Sequence, residues 1–138
     1  MSSDANKAVV GRYFHEFQGR RQTSIAGEII APDLVGPAMM SGQMIHTAFP
    51  DLAIAIEHQV AEGDMVATVW SARGTHQGEW ASPIGPIPAS GRPVAWTATT
   101  TLRLRDGRIV EVIGTNWDHL GILQQMGALP ATAPRPGA

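Results

Sequence analysis

The stretch GTNWDHLGILQQMG, residues 114–127, holds a single carboxylate, Asp118, between the aromatic side chains of Trp117 and His119. Strand alternation places Asn116 and Asp118 on one face, which we predict to face the interior. A carboxylate among aromatic groups is poorly solvated and is therefore suited to exchanging a proton with a substrate. An aspartate directly before a helical stretch is also a favoured N-cap. The sequence thus predicts Asp118 as a catalytic acid/base or as a helix cap, and one residue can do both.

Two histidines are candidates for contact with a ligand. His58 shares the face of its predicted strand with Ile54 and Ile56, and His76 shares a strand face with Trp70. A histidine on an apolar face binds a ligand, packs as a hydrogen-bonded core residue or contacts a partner subunit. All three roles stay open for both imidazoles.

Tryptophan is the commonest aromatic residue of the chain, with four copies against three phenylalanines and one tyrosine. Flat polycyclic ligands stack on such rings. We therefore predict that Trp70, Trp96 and Trp117 line a pocket for an aromatic ligand, while core packing stays an alternative for each of them.

The spacing of polar residues does not support metal or nucleotide chemistry. The chain has no cysteine, and its five histidines show neither His-x-His nor His-x-x-x-His spacing. No glycine-rich phosphate-binding loop is recognisable in the sequence. We predict a protein that needs no metal and no other cofactor.

Size and charge narrow the remaining possibilities. A chain of 138 residues forms one domain, and a net charge of −2 with scattered basic residues argues against nucleic acid as a partner. No apolar run approaches the roughly 20 residues of a membrane span, and no signal peptide is recognisable, so we expect a cytoplasmic protein without a membrane role. The charged fraction of 16 % is below the roughly 25 % of most domains, which predicts a covered face and a homodimer.

Hydrophobic periodicity predicts the elements that hold these residues. Helical spacing covers residues 4–18, residues 24–30 up to Pro32, and a third stretch after Pro37. The proline-rich stretch 79–93 is predicted as a loop that can act as a lid. The four predicted strands and the last helix cover residues 52–60, 65–76, 94–105, 108–117 and 119–126.

The order of these elements predicts the fold. Helices followed by an antiparallel meander indicate an α+β domain, in which a curved sheet wraps around the N-terminal helices as a cone with a mouth. We predict this domain over residues 5–128. The Pro/Ala-rich tail, residues 129–138, is predicted to be disordered.

Four motifs, taken in order, give the chain a family resemblance. They are AVVGRYF, AFPDL, VAEGDMVATVWSARGTHQGEW and PASGRPVAWTATTTLRLRDGRIVEVIGTNWDHLGILQQMG. In this order they resemble the SnoaL-like polyketide cyclases of the nuclear transport factor 2-like superfamily. The resemblance implies a cystatin-like α+β barrel fold. It further implies an enzyme that closes a ring in a small, polycyclic, polyketide-like substrate by an intramolecular aldol reaction without a cofactor. It also implies that Asp118 is the general acid/base.

The motif AVVGRY resembles the start of the ketosteroid isomerases as well, whose tyrosine on the first helix donates a hydrogen bond to the substrate oxyanion. Tyr13 matches that tyrosine. The isomerase base falls near Gly36 and its acidic partner at Thr100, and neither position can carry the proton. We therefore expect Tyr13, Thr100 and Asn116 as neutral ligand-binding groups rather than as parts of an isomerase.

Two other functions stay open. Relatives similar to limonene epoxide hydrolase need an Asp-Arg-Asp set. Here Arg73 and Arg103 fall on outward strand positions, and Asp118 is the one acid predicted to face inward. The sequence therefore gives little support to a hydrolase function. The other alternative is a non-catalytic module for small-ligand binding or dimerisation. In that case Asp118 only caps the last helix.

Overall fold

The computed structural model describes residues 2–130, which form four α-helices, two shorter helical turns and six β-strands. The α-helices are α1 (Ser3–Arg12), α2 (Ala26–Ile29), α3 (Pro32–Ala48) and α4 (His119–Gln125). A π-helical turn, Tyr13–Gly19, and a 3₁₀ turn, Thr23–Ile25, lie between α1 and α2. The strands are β1 (Ala53–Glu62), β2 (Met65–Thr75), β3 (Trp80–Ser82), β4 (Gly85–Ile87), β5 (Pro93–Arg105) and β6 (Arg108–Trp117).

Four of the strands form one antiparallel sheet in the order β1-β2-β5-β6, and β3 pairs with β4 in a separate hairpin. The central pair is regular, because β2 and β5 match residue for residue from Met65 opposite Arg103 to Thr75 opposite Pro93. Alternate residues of β5 are buried and belong to the core that the helices cover. The chain is therefore an α+β domain with helices on one face of a curved sheet, as the sequence predicts.

Both edge strands contain β-bulges that reverse the alternation of their side chains. In β1 the register shifts at Glu57, between Ile56 and His58. In β6 it shifts at Val110 and again at Ile113. A bulge adds one unpaired residue, so the side chains beyond it change face. The simple alternation predicted for these two strands is therefore wrong.

The first helix and its π-helical turn bring aromatic side chains to the sheet. Helix α1 follows Ser2, whose side-chain oxygen accepts a hydrogen bond from a first-turn N–H at 3.1 Å. The π-helical turn buries Phe14 and Phe17 and places Tyr13 beside them. Gly19 is the last residue of this turn. A side chain does not fit at this position, because a Cβ would come within 2.9 Å of the Phe14 carbonyl oxygen.

Two predicted boundaries are wrong. Helix α3 begins at Pro32 rather than after Pro37, because proline is compatible with the first helical position. Pro37 lies inside the helix, where it removes one backbone donor and its ring crowds the carbonyl one turn earlier. The stretch 79–93 is not a loop throughout, because it contains the hairpin of β3 and β4. The buried ring of Trp80 fixes that hairpin to the core.

The chain after α4 packs back on the domain. Ala128 and Leu129 contact the core, although the predicted tail begins at residue 129. Residues 131–138, which make up the rest of the predicted tail, lie outside the described residues. Between residues 2 and 130, no helix has the length and hydrophobicity needed to cross a membrane.

Candidate functional site

A cavity of about 180 Å³ lies between the helices and the inner face of the sheet. Most of its lining is apolar, and it opens between α3 and β6, where the lining residues Pro37 and Val112 are exposed. Its polar lining residues are Tyr13, Gln18, Ser41, Thr100 and Thr115. Within the described part of the chain, no Asp, Glu, His, Lys or Arg lines this cavity. In the same part, no three His, Asp or Glu residues are grouped so that they could hold a metal ion.

Tyr13 and Gln18 form a hydrogen-bonded pair on the helical wall of the cavity. Gln18 Nε2 donates to the Tyr13 hydroxyl oxygen at 3.0 Å and to the Ala38 carbonyl oxygen at 3.2 Å. Because the phenolic oxygen accepts this bond, its own proton stays available for another acceptor. Burial raises the pKa of Tyr13, and the hydrogen bond from Gln18 acts in the opposite direction. Tyr13 is therefore a neutral hydrogen-bond donor at the cavity wall.

Two threonines and two tryptophans form a chain of hydrogen bonds on the sheet wall. Trp70 Nε1 donates to Thr100 Oγ1 at 3.0 Å, and Trp117 Nε1 donates to Thr115 Oγ1 at 3.2 Å. The two threonine oxygens are 2.9 Å apart and are hydrogen-bonded to each other. Thr100 and Thr115 are opposite each other on β5 and β6, so the sheet sets this distance. All four side chains line the cavity.

An aromatic cluster, consisting of Phe49, His76, Trp80 and Trp96, lies next to the cavity. The Trp117 ring stacks on the rings of Trp96 and Trp80, with centroids 5.4 and 5.8 Å apart. Phe49 packs on Trp96 with a centroid separation of 5.1 Å. Trp96 is buried in this cluster and does not line the cavity, so its predicted place at the pocket wall is wrong.

Asp118 does not line the cavity either. Its side chain is exposed, and Oδ1 accepts a hydrogen bond from the Gly121 N–H at 2.9 Å, which makes it the N-cap of α4. The predicted inward orientation is wrong, because the bulge at Ile113 turns Thr115 and Trp117 inward instead. The helix-cap role is observed, and the acid/base role stays a prediction.

His58 and Asn116 lie outside the cavity for the same reason. Both side chains are exposed. In β1 the bulge at Glu57 gives the inward position to Gln59, whose Nε2 donates to the Thr68 hydroxyl at 3.4 Å. The predicted inward orientation of His58 and Asn116 is therefore wrong.

His76 is fully buried, but in the aromatic cluster rather than at the cavity. Its Nδ1 lies 2.8 Å from Ser90 Oγ and accepts a hydrogen bond from the Ser90 N–H at 3.2 Å. Burial lowers the pKa of His76, and the nearby backbone of Ile87 and Gly78 acts weakly in the opposite direction. Of the three roles left open by the sequence, the core role is the one observed, and His76 does not line the cavity.

Three polar lining residues are missed by sequence reasoning: Gln18, Ser41 and Thr115. Gln18 reaches Tyr13 because a π-helical turn brings residues five apart onto one side, which the ordinary helical period does not predict. Thr115 faces inward only because of the bulge at Ile113. The sequence carries no separate signal for either irregularity.

The chain matches the family model for SnoaL-like polyketide cyclases over residues 8–126. It belongs to this family. A search of curated proteins gave no significant match.

Solved structures have the same fold. IdmH of Streptomyces antibioticus, a candidate polyketide cyclase, is 29 % identical, with 88 % of this chain and 98 % of that chain covered and a TM-score of 0.74. A candidate SnoaL-like polyketide cyclase from Jannaschia sp. CCS1 is 23 % identical, with 93 % and 95 % covered and a TM-score of 0.80. AclR of Streptomyces galilaeus, a candidate hydroxylase, is 25 % identical, with 96 % and 87 % covered and a TM-score of 0.78.

The predicted family and the predicted α+β fold are both confirmed. Membership of the family supports a fold of the cyclase/isomerase type. It also implies a small hydrophobic substrate.

Proposed function

We propose that this chain closes a ring in a polycyclic carbonyl compound by a cofactor-free intramolecular aldol reaction. Two observations support it, the family to which the chain belongs and the free proton of the Tyr13 hydroxyl. That proton lies at the wall of an apolar cavity, where the carbonyl oxygen of a ligand would be its acceptor. A donor already in place in such a site strongly stabilises negative charge that develops on oxygen. The Tyr13 donor is the observation that carries the proposal.

The cavity has room for part of a polycyclic substrate. Its volume of about 180 Å³ is close to the roughly 150 Å³ of an engineered protein cavity that binds benzene. One ring therefore fits inside, and further rings extend through the opening between α3 and β6. Exposed Met40 and Met44 on α3, and Val112 and Ile113 on β6, provide apolar surface on these two elements. Such surface suits the part of the substrate that stays outside the cavity.

In the proposed reaction, a base removes a proton from the carbon next to one carbonyl group. The enolate carbon attacks a second carbonyl of the same molecule, and the alkoxide that results takes the proton back. One carbon–carbon bond forms, and no atom is gained or lost. Tyr13 donates to the oxygen of the second carbonyl, on which the negative charge of the alkoxide develops. Because the substrate carries both reacting groups, orientation in the cavity supplies much of the rate enhancement.

Asp118 is our candidate for the base. It directly follows Trp117, whose ring lines the cavity, at the end of β6. The helix cap uses only Oδ1, and no residue between 2 and 130 donates to Oδ2. A substrate that extends past Trp117 would bring its acidic carbon to this oxygen.

A binding module is the second candidate function. The observation that favours it is the cavity lining, which includes no carboxylate and no imidazole among the described residues. A binder needs only the apolar walls and the neutral donors. Asp118 would then act solely as the cap of α4.

Proton exchange distinguishes the two functions without knowledge of the natural substrate. Alpha-tetralone is a bicyclic ketone, and the exchange of its alpha protons in heavy water can be followed by NMR. Under the cyclase proposal the protein accelerates this exchange, and general-base catalysis contributes typically 10²–10⁴-fold. A protein that binds tetralone without accelerating the exchange is a binder instead.

A matched pair of variants tests Asp118. Asp118→Asn keeps an N-cap acceptor but cannot take up a proton, whereas Asp118→Ala loses both functions. We expect both variants to lose the exchange activity, and only Asp118→Ala to lose about 1 kcal/mol of unfolding free energy. If Asp118→Asn exchanges protons as fast as the wild type, Asp118 is not the base.

The mass of the product distinguishes ring closure from the chemistry suggested by the description of AclR as a candidate hydroxylase. An aldol closure conserves the mass of the substrate, or lowers it by one water if dehydration follows. Hydroxylation adds an oxygen atom. Mass spectrometry of the products from a panel of aromatic diketones therefore separates the two reactions.

We also propose that the chain is a homodimer. The outer face of the sheet presents exposed small residues, Ala53, Ala55, Ala95 and Thr97, on either side of Arg73 in β2, and a second copy can approach these small residues closely. Light scattering should give twice the mass of the chain. Ala95→Arg should give a monomer, because it replaces a small contact residue and places a second positive charge directly opposite Arg73.

A further inference from the structure

The hydroxyl groups of Thr100 and Thr115 have one proton without an acceptor among residues 2–130. Each threonine oxygen accepts a hydrogen bond from an indole N–H, Thr100 from Trp70 and Thr115 from Trp117. The two oxygens also share one bond, in which one hydroxyl donates to the other. The donor of that bond has used its proton, whereas the other hydroxyl still has its own. Either direction of the shared bond leaves one free proton.

The oxygen that holds the free proton can act only as a donor. It accepts one bond from an indole and one from the other threonine, so both of its lone pairs are used. Successive hydrogen bonds of this kind polarise each other, which strengthens the last donor in the chain. Tryptophan can only donate, so each threonine oxygen is the acceptor in its bond with the indole.

We propose that the Thr100–Thr115 pair is a second carbonyl-oxygen site in the cavity, opposite the Tyr13 hydroxyl. This inference rests on the proposed function for its ligand class and deepens it. Both sites are neutral donors, one on the sheet wall and one on the helical wall, and both line the same cavity. A ligand that satisfies both has two oxygen acceptors on opposite sides of the ring that occupies the cavity. The preferred substrate is therefore a quinone-like or diketone ring rather than a ring with one carbonyl.

Two bicyclic probes test the second site by isothermal titration calorimetry. Alpha-tetralone has one carbonyl oxygen, and naphthoquinone has two on opposite sides of one ring. The readout is the ratio of their dissociation constants, because a general loss of packing affects both probes alike. The chain has no cysteine, so the quinone meets no thiol. We expect the wild type to prefer naphthoquinone by about two- to tenfold, the range of one neutral hydrogen bond.

The double variant Thr100→Val/Thr115→Val removes the site, and Thr100→Ser/Thr115→Ser keeps both hydroxyls. We expect the valine variant to lose the preference for naphthoquinone and the serine variant to keep it. Each single valine variant still holds one hydroxyl with a free proton, so its loss should be smaller than half of the double variant's loss. An unchanged ratio in the folded double valine variant overturns the proposal, and so does an equal loss in the serine variant.

An infrared difference spectrum of naphthoquinone bound to the wild type tests the same proposal without any mutation. Two hydrogen-bonded carbonyl groups give two stretching bands shifted to lower frequency, whereas one shifted and one unshifted band overturns the second site. Neither measurement requires turnover. If the ratio changes as expected but tetralone exchange is absent, the second site stands and the cyclase proposal fails. If exchange is present and the ratio does not change, the reverse holds.

Discussion

The Trp117 ring contacts two regions that are both built from aromatic residues, the cavity and the aromatic cluster. At the cavity, the indole N–H groups of Trp70 and Trp117 donate to threonine hydroxyls. In the cluster, the buried Nε1 atoms of Trp80 and Trp96 have no hydrogen-bond partner among the described residues. An unpaired buried N–H costs about 1–3 kcal/mol. The cluster therefore depends on the packing of its rings, which outweighs that cost.

This difference separates stability from binding. Rings in the aromatic cluster touch only other protein groups, so changes there should lower stability. Polar groups at the cavity have unused hydrogen-bonding capacity, so changes there should lower ligand affinity. Each of the following variants acts on one region, and its control acts on the other or on neither.

The largest effect is expected for Phe49→Ala in the aromatic cluster. Phe49 is fully buried and packs against Trp96, Trp80 and His76 at centroid separations of 5.1, 5.9 and 5.9 Å. Removal of such a ring costs about 3–5 kcal/mol of unfolding free energy. Urea denaturation of the purified variant measures the loss.

The matched control for Phe49→Ala is Val112→Ala at the mouth of the cavity. Val112 is 51 % exposed, so its truncation should change the unfolding free energy by no more than about 0.5 kcal/mol. It lines the cavity, however, and its loss should weaken tetralone binding. If Val112→Ala destabilises the protein as much as Phe49→Ala, the distinction between the two regions fails.

A smaller effect is expected for Gly42→Ala, which acts on the helical wall of the cavity. Gly42 is buried in α3, and an added Cβ would meet Gln18 Oε1 and the guanidinium of Arg21. Both atoms are the ends of flexible side chains that can shift, so the loss of unfolding free energy should be below the roughly 1–3 kcal/mol of overpacking in a rigid core. A displaced Gln18 no longer holds the Tyr13 hydroxyl, so affinity for tetralone should fall as well. Calorimetry and urea denaturation measure the two losses.

Gly36→Ala is the control for Gly42→Ala, because both residues belong to α3. Apart from the neighbouring backbone of α3 itself, no atom of residues 2–130 lies within 4 Å of a Cβ added at Gly36. Alanine within a helix is favoured over glycine by roughly 0.5–1 kcal/mol, so this variant should be more stable than the wild type. Equal losses for the two variants would show that α3 tolerates no alanine, and that the Gln18 contact is not the cause.

The predictions from sequence succeed where the backbone is regular. The order of elements follows from residue type and period. Trp70, predicted from the second strand, and Thr100, predicted from the resemblance to the isomerases, both line the cavity. The two strands that hold these residues, β2 and β5, form the centre of the sheet, where each residue has a partner on both sides. A one-residue shift there would move a whole set of core side chains to the wrong face.

The predictions fail on the edge strands. A bulge in β1 or β6 disturbs only one neighbouring strand, so its cost is lower than in the centre of the sheet. The bulges at Glu57 and Ile113 exchange the faces of His58 and Asp118, the two residues on which periodicity is most misleading. The family resemblance does not correct this error, because a sequence motif does not specify on which face of the sheet each side chain lies. The residues of the candidate site can therefore be located only from the structure, whereas the fold can be predicted from the sequence.

We expect the free energy of unfolding to depend on pH through His76 in the aromatic cluster. Because burial lowers the pKa of His76, the unfolded chain binds a proton at higher pH than the folded chain does. This residue's contribution to stability is therefore complete above about pH 6.5, the ordinary value for histidine. It is lost as the pH falls from there to the folded-state pKa. Urea denaturation as a function of pH measures the slope.

His76→Gln should flatten that slope, whereas His58→Gln is the control. His58 is exposed on β1, so its replacement should leave the pH dependence of stability close to that of the wild type. A slope that persists in His76→Gln would assign the effect to another group, and the burial of His76 would then have no role in it.

The smallest effect is expected at the cavity, where the ionisation of the Tyr13 phenol should leave ligand affinity unchanged near neutral pH. Burial raises its pKa, so the phenol should titrate above the ordinary value of about 10 and stay a donor at neutral pH. Tetralone affinity should therefore be constant between about pH 7 and pH 9. Stability from this group is present below the unfolded-state pKa and is lost as the pH rises through the folded-state pKa.

The chain has a single tyrosine, so tyrosinate absorbance reports Tyr13 alone. The hydrogen bond from Gln18 lowers this pKa, and Gly42→Ala, which displaces Gln18, should therefore raise it further. Gly36→Ala should leave it unchanged. A titration at or below the ordinary value in the folded wild type would mean that the phenol is solvated. Tyr13 would then not be the neutral donor on which the proposed chemistry depends, and the cavity would differ from the aromatic cluster in openness alone.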